Sequence, residues 1–123
     1  MFVLDTNCII YYLEAEPEVS DLLEKIFLTN NIVYISAITE LELFAYPAIR
    51  YDHEQRIEKF LKLVTTLTIE SNLARNAARV KREFGLQLAD SIIAATALAT
   101  GSILLTRNIK DFKRIPNLKL QKI

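Results

Sequence analysis

The sequence predicts an α/β fold built on a central, mostly parallel sheet of about five short strands, and three observations carry that expectation. Short aliphatic or β-branched runs recur from end to end. Stretches of helical periodicity, often two in succession, separate them. Carboxylates follow the apolar runs, where α/β sheets collect ligands beyond the carboxyl ends of their strands. Strands joined through helical crossovers run parallel and lie buried between helices.

The expected strands are residues 2–4, 32–35, 67–69, 103–105 and 118–120. Between the first two, Val19, Leu22, Leu23, Ile26 and Phe27 keep helical spacing, with Pro17 suited to the start and Asn30-Asn31 to the stop. Ile57, Phe60, Leu61 and Val64 repeat the period in a helix beginning near Asp52. Ser71 suits the N-cap of a helix running to Phe84, with Gly85 as the left-handed residue after it. A further helix spans about 87–100 and ends in the same way at Gly101.

Composition narrows the function classes. A chain of 123 residues, 51% of them apolar, with two Gly and three Pro, is expected to form one ordered domain over 1–123. No apolar run approaches the roughly 20 residues that cross a bilayer, and the N-terminus has no basic start or small-residue cleavage site of a signal peptide. Cys8 is the sole cysteine. It makes no internal disulfide, and no Cys/His cluster has zinc spacing. A cytoplasmic location is the expectation. Fifteen basic against fifteen acidic residues give no global attraction to nucleic acid. Arg75, Arg79, Lys81 and Arg82 crowd one segment, and Arg107, Lys110, Lys113 and Arg114 another; solvated helix faces are the plainer reading, with a local phosphate-binding surface as the functional alternative.

Four acids stand out, and each has a plain structural explanation beside the functional one. Asp5 ends the first apolar run and suits an N-cap, which one carboxylate oxygen satisfies, leaving the other for a cation. Glu42 fits a capping box opened by Thr39, and periodicity alone does not separate it from Glu40. Asp111 follows Thr106-Arg107-Asn108 in what reads as a turn or a helix start. Asp90 resists such an explanation, because its helical neighbours Leu86, Ile93, Ala94 and Ala97 are all apolar. A charge on that face costs several kcal/mol unless it is paired, hydrogen-bonded or bound to a metal. Together the four acids would repel without a cation. Oxygen-only ligands select Mg²⁺ or Mn²⁺ over zinc.

Four segments then resemble the ordered motifs of PIN domains: Val3-Leu4-Asp5-Thr6-Asn7, Ser36-x-x-Thr39-x-x-Glu42-Leu43, Leu88-Ala89-Asp90-Ser91-Ile92-Ile93-Ala94-Ala95-Thr96-Ala97, and Leu105-Thr106-Arg107-Asn108-x-x-Asp111-Phe112. The resemblance spans the whole chain and is nearest to the small, single-domain toxins of VapBC toxin–antitoxin pairs. It implies a three-layer α/β/α sandwich, and it selects Glu42 over Glu40. It also implies a Mg²⁺- or Mn²⁺-dependent endoribonuclease acting on RNA, a cognate antitoxin and a homodimer. Asp5 and Asp90 are the expected principal metal ligands, with Glu42 and Asp111 completing the site. Thr6, Asn7, Thr106 and Asn108 are the expected supporting residues, with Arg107 as a phosphate contact. The chain departs from the pattern at Gln87-Leu88-Ala89, which lacks the proline some members carry, and at Tyr46-Pro47, where many have Gly. His53 reads as a surface residue far along the chain from every acidic motif. Tyr11, Tyr12, Leu13, Phe44 and Tyr46 read mostly as core, with an antitoxin groove as the functional alternative. The competing readings are a PIN-like binding module that has lost catalysis, and a receiver-type phosphoacceptor domain with Arg107 where a lysine is needed.

Overall fold

A computed structural model describes residues 1–47 and 50–123. The elements follow in the order β1 (Phe2–Leu4), α1 (Thr6–Leu13), α2 (Pro17–Leu28), β2 (Val33–Ser36), α3 (Ala37–Phe44), α4 (Tyr51–Leu61), β3 (Thr65–Leu67), α5 (Ser71–Phe84), α6 (Leu88–Thr100), β4 (Ile103–Thr106), α7 (Ile109–Phe112) and β5 (Lys119–Lys122). The strands form one sheet in the order β3-β2-β1-β4-β5, with every pair parallel.

Strand alternation builds two apolar layers from one sheet. Leu4, Val33, Ile35 and Leu105 pack with Ile9 of α1, Val19, Leu23 and Ile26 of α2, and Ile57 and Phe60 of α4. Val3 and Leu104, one residue away in their strands, face Val80, Ile93, Ala94, Ala97 and Phe112 instead. The helix layers therefore cover opposite faces, as the α/β/α expectation requires. From β1 the chain first builds outward through β2 and β3, then returns to add β4 and β5 on the other side. The carboxyl ends of β1 and β4 consequently border a topological switch point, the place where such sheets bind ligands.

Several expected boundaries move: β2 shifts by one residue to Val33–Ser36, β4 extends to Thr106, and α4 ends at Leu61, before Val64. Three further shifts have clear physical reasons. β3 begins at Thr65, because Thr65, Thr66 and Leu67 pair in register with Tyr34, Ile35 and Ser36; Ile69 lies beyond the strand. Its place is set by that pairing and by the Thr66 hydroxyl, which donates to Glu40 Oε1 at 2.6 Å, rather than by hydrophobicity. β5 runs to Lys122, with exposed Lys119 and Lys122 on an edge strand, where lysines deter further pairing. The N-cap of α5 is Glu70, which leaves Ser71 as the first helical residue.

Gly85 and Gly101 take left-handed φ of 65° as expected, closing α5 and α6. The structure adds left-handed residues without glycine at Ala15, Asn30 and Asn117, the first two just after α1 and α2. Ala15 sits at φ 59°, while its N–H and that of Glu16 donate to the carbonyls of Tyr12 and Tyr11, both at 3.0 Å. This is a Schellman closure of α1, and a non-glycine residue there costs about 1 kcal/mol or more. Nothing lies within 4 Å of a Cβ built on Gly101, so only backbone strain opposes a side chain there. Gly101→Ala is expected to lower stability by about 1 kcal/mol in urea denaturation; an unchanged midpoint would contradict the left-handed closure.

Candidate active site

Asp5 leaves β1 and immediately caps α1, its Oδ1 accepting the Cys8 N–H at 2.8 Å. The cap occupies one oxygen. Oδ2 accepts from the buried Thr106 hydroxyl at 2.5 Å, and that hydroxyl in turn accepts the Asn108 N–H at 2.9 Å. β1 and β4 are thus joined at their carboxyl ends through a side chain. Asp5 is only 7% exposed. Burial raises its carboxyl above the ordinary 3.8; the Thr106 and Cys8 hydrogen bonds oppose the rise and the charge of Glu42 adds to it.

Glu42 arrives from α3, where the capping-box expectation gives way. Ser36, fully buried at the end of β2, is the N-cap and accepts the Ile38 N–H at 3.2 Å. The helix therefore starts before Thr39, and Glu42 has no cap to serve. Its Oε1 accepts the Thr6 hydroxyl at 2.5 Å, and that hydroxyl lies 3.2 Å from the buried Thr39 hydroxyl. Glu40 is engaged across the helix with Thr66, which separates the two glutamates in space.

Asp90 stands in the first turn of α6, half-buried among the apolar residues that make it conspicuous in the sequence. Burial raises its carboxyl above 3.8, and the charges of Asp5, Glu42 and Asp111 raise it further. The other three acids therefore all act on Asp90. Asp5, Glu42 and Asp90 line a single cavity of about 210 Å³ with Thr6, Asn7, Ile10 and Ile93. Asp111 lies outside that lining, in α7, with its Oδ2 accepting from Asn108 Nδ2 at 3.0 Å.

Among the described residues, no three His, Cys, Asp or Glu side chains converge as a ready-made ion cage. Facing carboxylates repel, and that repulsion adds to burial in raising the Asp90 pKa. The donor set nonetheless fits a hard divalent cation such as Mg²⁺ or Mn²⁺: it offers carboxylate and hydroxyl oxygens without sulfur or imidazole. Cys8, just behind Asp5, is fully buried with its thiol pKa pushed up by burial and by Asp5, which makes it inert.

Two other residues need placing: Arg107, and His53, which is exposed in the first turn of α4 as expected. The Arg107 guanidinium is paired with Glu16, sits 4.1 Å from the centre of the Tyr11 ring, and is absent from the cavity lining. His53, remote in sequence, lines a groove of about 350 Å³ that shares Glu42 and Ile10 with the acidic cavity. Tyr46, 61% exposed, borders that groove with Leu13, which also packs against the core, as Tyr11, Tyr12 and Phe44 do. Ile10 and Ile93 join the cavity lining although nothing in their type marks them as site residues. Their helical spacing, Ile93 three residues after Asp90 and Ile10 four after Thr6, is the one signal the sequence offers.

A PIN domain family model matches residues 2–118. Among curated relatives, ribonuclease VapC2 of Haemophilus influenzae is 30% identical over 98% of this chain and 96% of its own length. The tRNA(fMet)-specific endonuclease VapC of Salmonella typhimurium is 27% identical with the same coverage of 98% and 96%. Among solved structures, VapBC2 of Rickettsia felis bound to a promoter DNA fragment matches with a TM-score of 0.86 at 26% identity, covering 99% of this chain and 98% of that one. A toxin–antitoxin complex from Klebsiella pneumoniae matches with a TM-score of 0.82 at 32% identity, covering 96% and 95%. The ordered motifs, the parallel sheet and these likenesses agree: the chain belongs to the PIN domain family, with VapC proteins among its relatives.

Proposed function

We propose that this protein is a Mg²⁺- or Mn²⁺-dependent endoribonuclease, a single domain acting as the toxin of a toxin–antitoxin pair. The observation that carries the reading is the meeting of Asp5, Glu42 and Asp90, from three separate elements, in one cavity at the switch point of the sheet. The relatives named as VapC ribonucleases and the neighbours solved as toxin–antitoxin complexes support it. In this reading Asp5 and Asp90 are the principal metal ligands, and Glu42 and Asp111 complete the site.

A divalent cation held there supplies positive charge against the scissile phosphate and lowers the pKa of a water. The protein's own residues set the geometry. Asp5 is held from both sides, by the Cys8 N–H and the Thr106 hydroxyl, so its carboxylate plane is fixed before any ligand arrives. Thr6 orients Glu42, and Asn108 orients Asp111. Asn7, exposed on the cavity wall, is placed to donate to a phosphate oxygen. Hydrolysis needs no nucleophilic side chain and no general-base histidine.

The apolar groove beside the cavity suits an antitoxin segment, because Leu13, Leu43, Tyr46 and Ile57 offer the surface on which amphipathic helices dock. A basic side chain carried by such a segment reaches Glu42 at the shared wall and neutralises the acids. The active form is a homodimer in the cytoplasm. Expression without its antitoxin, followed by mapping of RNA 5′ ends in the cell, is expected to show a discrete set of new ends that Asp5→Asn abolishes. The same ends in both strains, or none with folded protein, would overturn the reading.

A further inference from the structure

We propose that Arg107 is a positioning residue: it fastens the β4–α7 turn, which holds two of the acids, to the corner between α1 and α2. The activity readout of this inference rests on the nuclease reading above, and its structural readout does not.

The turn is the connection between Asp5 and Asp111. Thr106 donates to Asp5 Oδ2, the Asn108 N–H donates to the Thr106 hydroxyl, and Asn108 Nδ2 donates to Asp111 Oδ2. Whatever places residues 106–108 therefore places both carboxylates. Arg107 lies between those two hydrogen-bonding residues, and its side chain leaves on the other side of the turn toward three anchors. Its Nη2 donates to Glu16 Oε1, its guanidinium stacks 4.1 Å from the Tyr11 ring centre, and its Nε donates to the Ile123 carbonyl at 3.3 Å. The Ile123 N–H donates back to the Thr106 carbonyl at 3.3 Å, closing the turn against the end of β5.

The anchors are themselves fixed. Glu16 follows the left-handed Ala15 in the Schellman closure of α1, with its N–H on the Tyr11 carbonyl, so the residue that pairs with Arg107 and the ring beneath it belong to one rigid corner. α1 begins at Asp5 and ends at that corner. Arg107 thus ties the far end of α1 to the turn that grips its near end, which fixes the helix and its capping carboxylate relative to β4. A planar guanidinium suits this use, since it stacks and donates in several directions at once where an ammonium does not.

Two other roles predict different outcomes. An ordinary surface ion pair, with both side chains about one-third exposed at 34% and 33%, contributes little and its loss is silent. A phosphate contact is restrained by Glu16, so releasing it strengthens RNA binding.

The test compares Glu16→Gln, Arg107→Ala and Arg107→Lys by steady-state RNA cleavage and by amide hydrogen exchange. Positioning predicts that Glu16→Gln and Arg107→Ala both lower kcat by about tenfold, the effect of losing a group that orients a ligand, with little change in KM. Arg107→Lys is intermediate, because it keeps the charge and loses the stack and the Ile123 bond. The Cys8 and Asn108 amides exchange faster in the first two variants, while Val80 in α5 is unchanged. A lower KM in Glu16→Gln would overturn the proposal in favour of a phosphate contact. Unchanged kcat and unchanged exchange would reduce the contact to a surface pair. If the parent protein cleaves no RNA, the nuclease reading falls and the exchange rates still decide whether Arg107 holds the turn.

Discussion

Asp5→Asn is expected to lower metal-dependent RNA cleavage by more than about 100-fold, beyond the 10–100-fold cost of losing a group that merely supports a metal ligand, while leaving the fold intact. The asymmetry follows from what each oxygen does. Asn keeps Oδ1 as the acceptor for the Cys8 N–H, and it is as good an N-cap as Asp. The change removes the negative charge and puts an NH₂ in place of Oδ2, where the Thr106 hydroxyl donates. That hydroxyl already accepts from Asn108 N–H, so it loses its acceptor, at about 1 kcal/mol. Relief from burying a charge offsets the loss, because burial holds the Asp5 pKa above its ordinary value. Stability should therefore stay near that of the parent. Full activity in the variant with the same metal requirement would remove Asp5 from the site.

Asp90→Asn is expected to lose a comparable share of activity and to gain stability at neutral pH in EDTA. Burial first, then Asp5, Glu42 and Asp111, raise the folded-state pKa of Asp90 above 3.8. The folded protein therefore holds the Asp90 proton more tightly than the unfolded chain does. Stability falls as pH rises from about 3.8 through the raised folded pKa, and the full loss persists above it. Asn carries no such dependence. The advantage of Asp90→Asn in thermal melts should thus be absent below the unfolded-state pKa and grow toward neutrality. The first-turn position of Asp90 in α6 trims the gain, since a negative charge there contributes roughly 0.3–1 kcal/mol. Mn²⁺ should shrink or reverse the difference by binding the parent protein alone. A variant less stable than the parent in EDTA at neutral pH, or a difference independent of pH, would contradict this origin of the shift.

These two acids are legible in the sequence because each breaks a local rule: Asp5 ends a buried strand, and Asp90 interrupts a buried helix face. Gly85 and Gly101 are legible as helix closures for a similar reason, since glycine answers a specific backbone need. Glu42 is ambiguous there because the start of α3 depends on Ser36, whose cap forms only once β2 runs directly into the helix. The Thr106–Asp5 hydrogen bond joins residues 101 apart, which periodicity cannot report. The same holds for Arg107, whose partners Glu16, Tyr11 and Ile123 come from separate parts of the fold. β3 is displaced from its expected place because a short edge strand follows the register of its neighbour more than its own hydrophobicity. His53 looks remote because distance along the chain says little about which helix ends share a groove.

If these carboxylates hold a divalent cation that cuts RNA, the most direct test is cleavage of a mixed, structured RNA pool by antitoxin-free protein. The reactions run in Mg²⁺, Mn²⁺ or EDTA, beside Asp5→Asn. Discrete cuts with either metal, none in EDTA and none from the variant are the predicted result. Cuts that persist in EDTA, or equal cutting by Asp5→Asn, would contradict it; no cutting by folded, metal-loaded protein would leave a PIN fold that binds without catalysing.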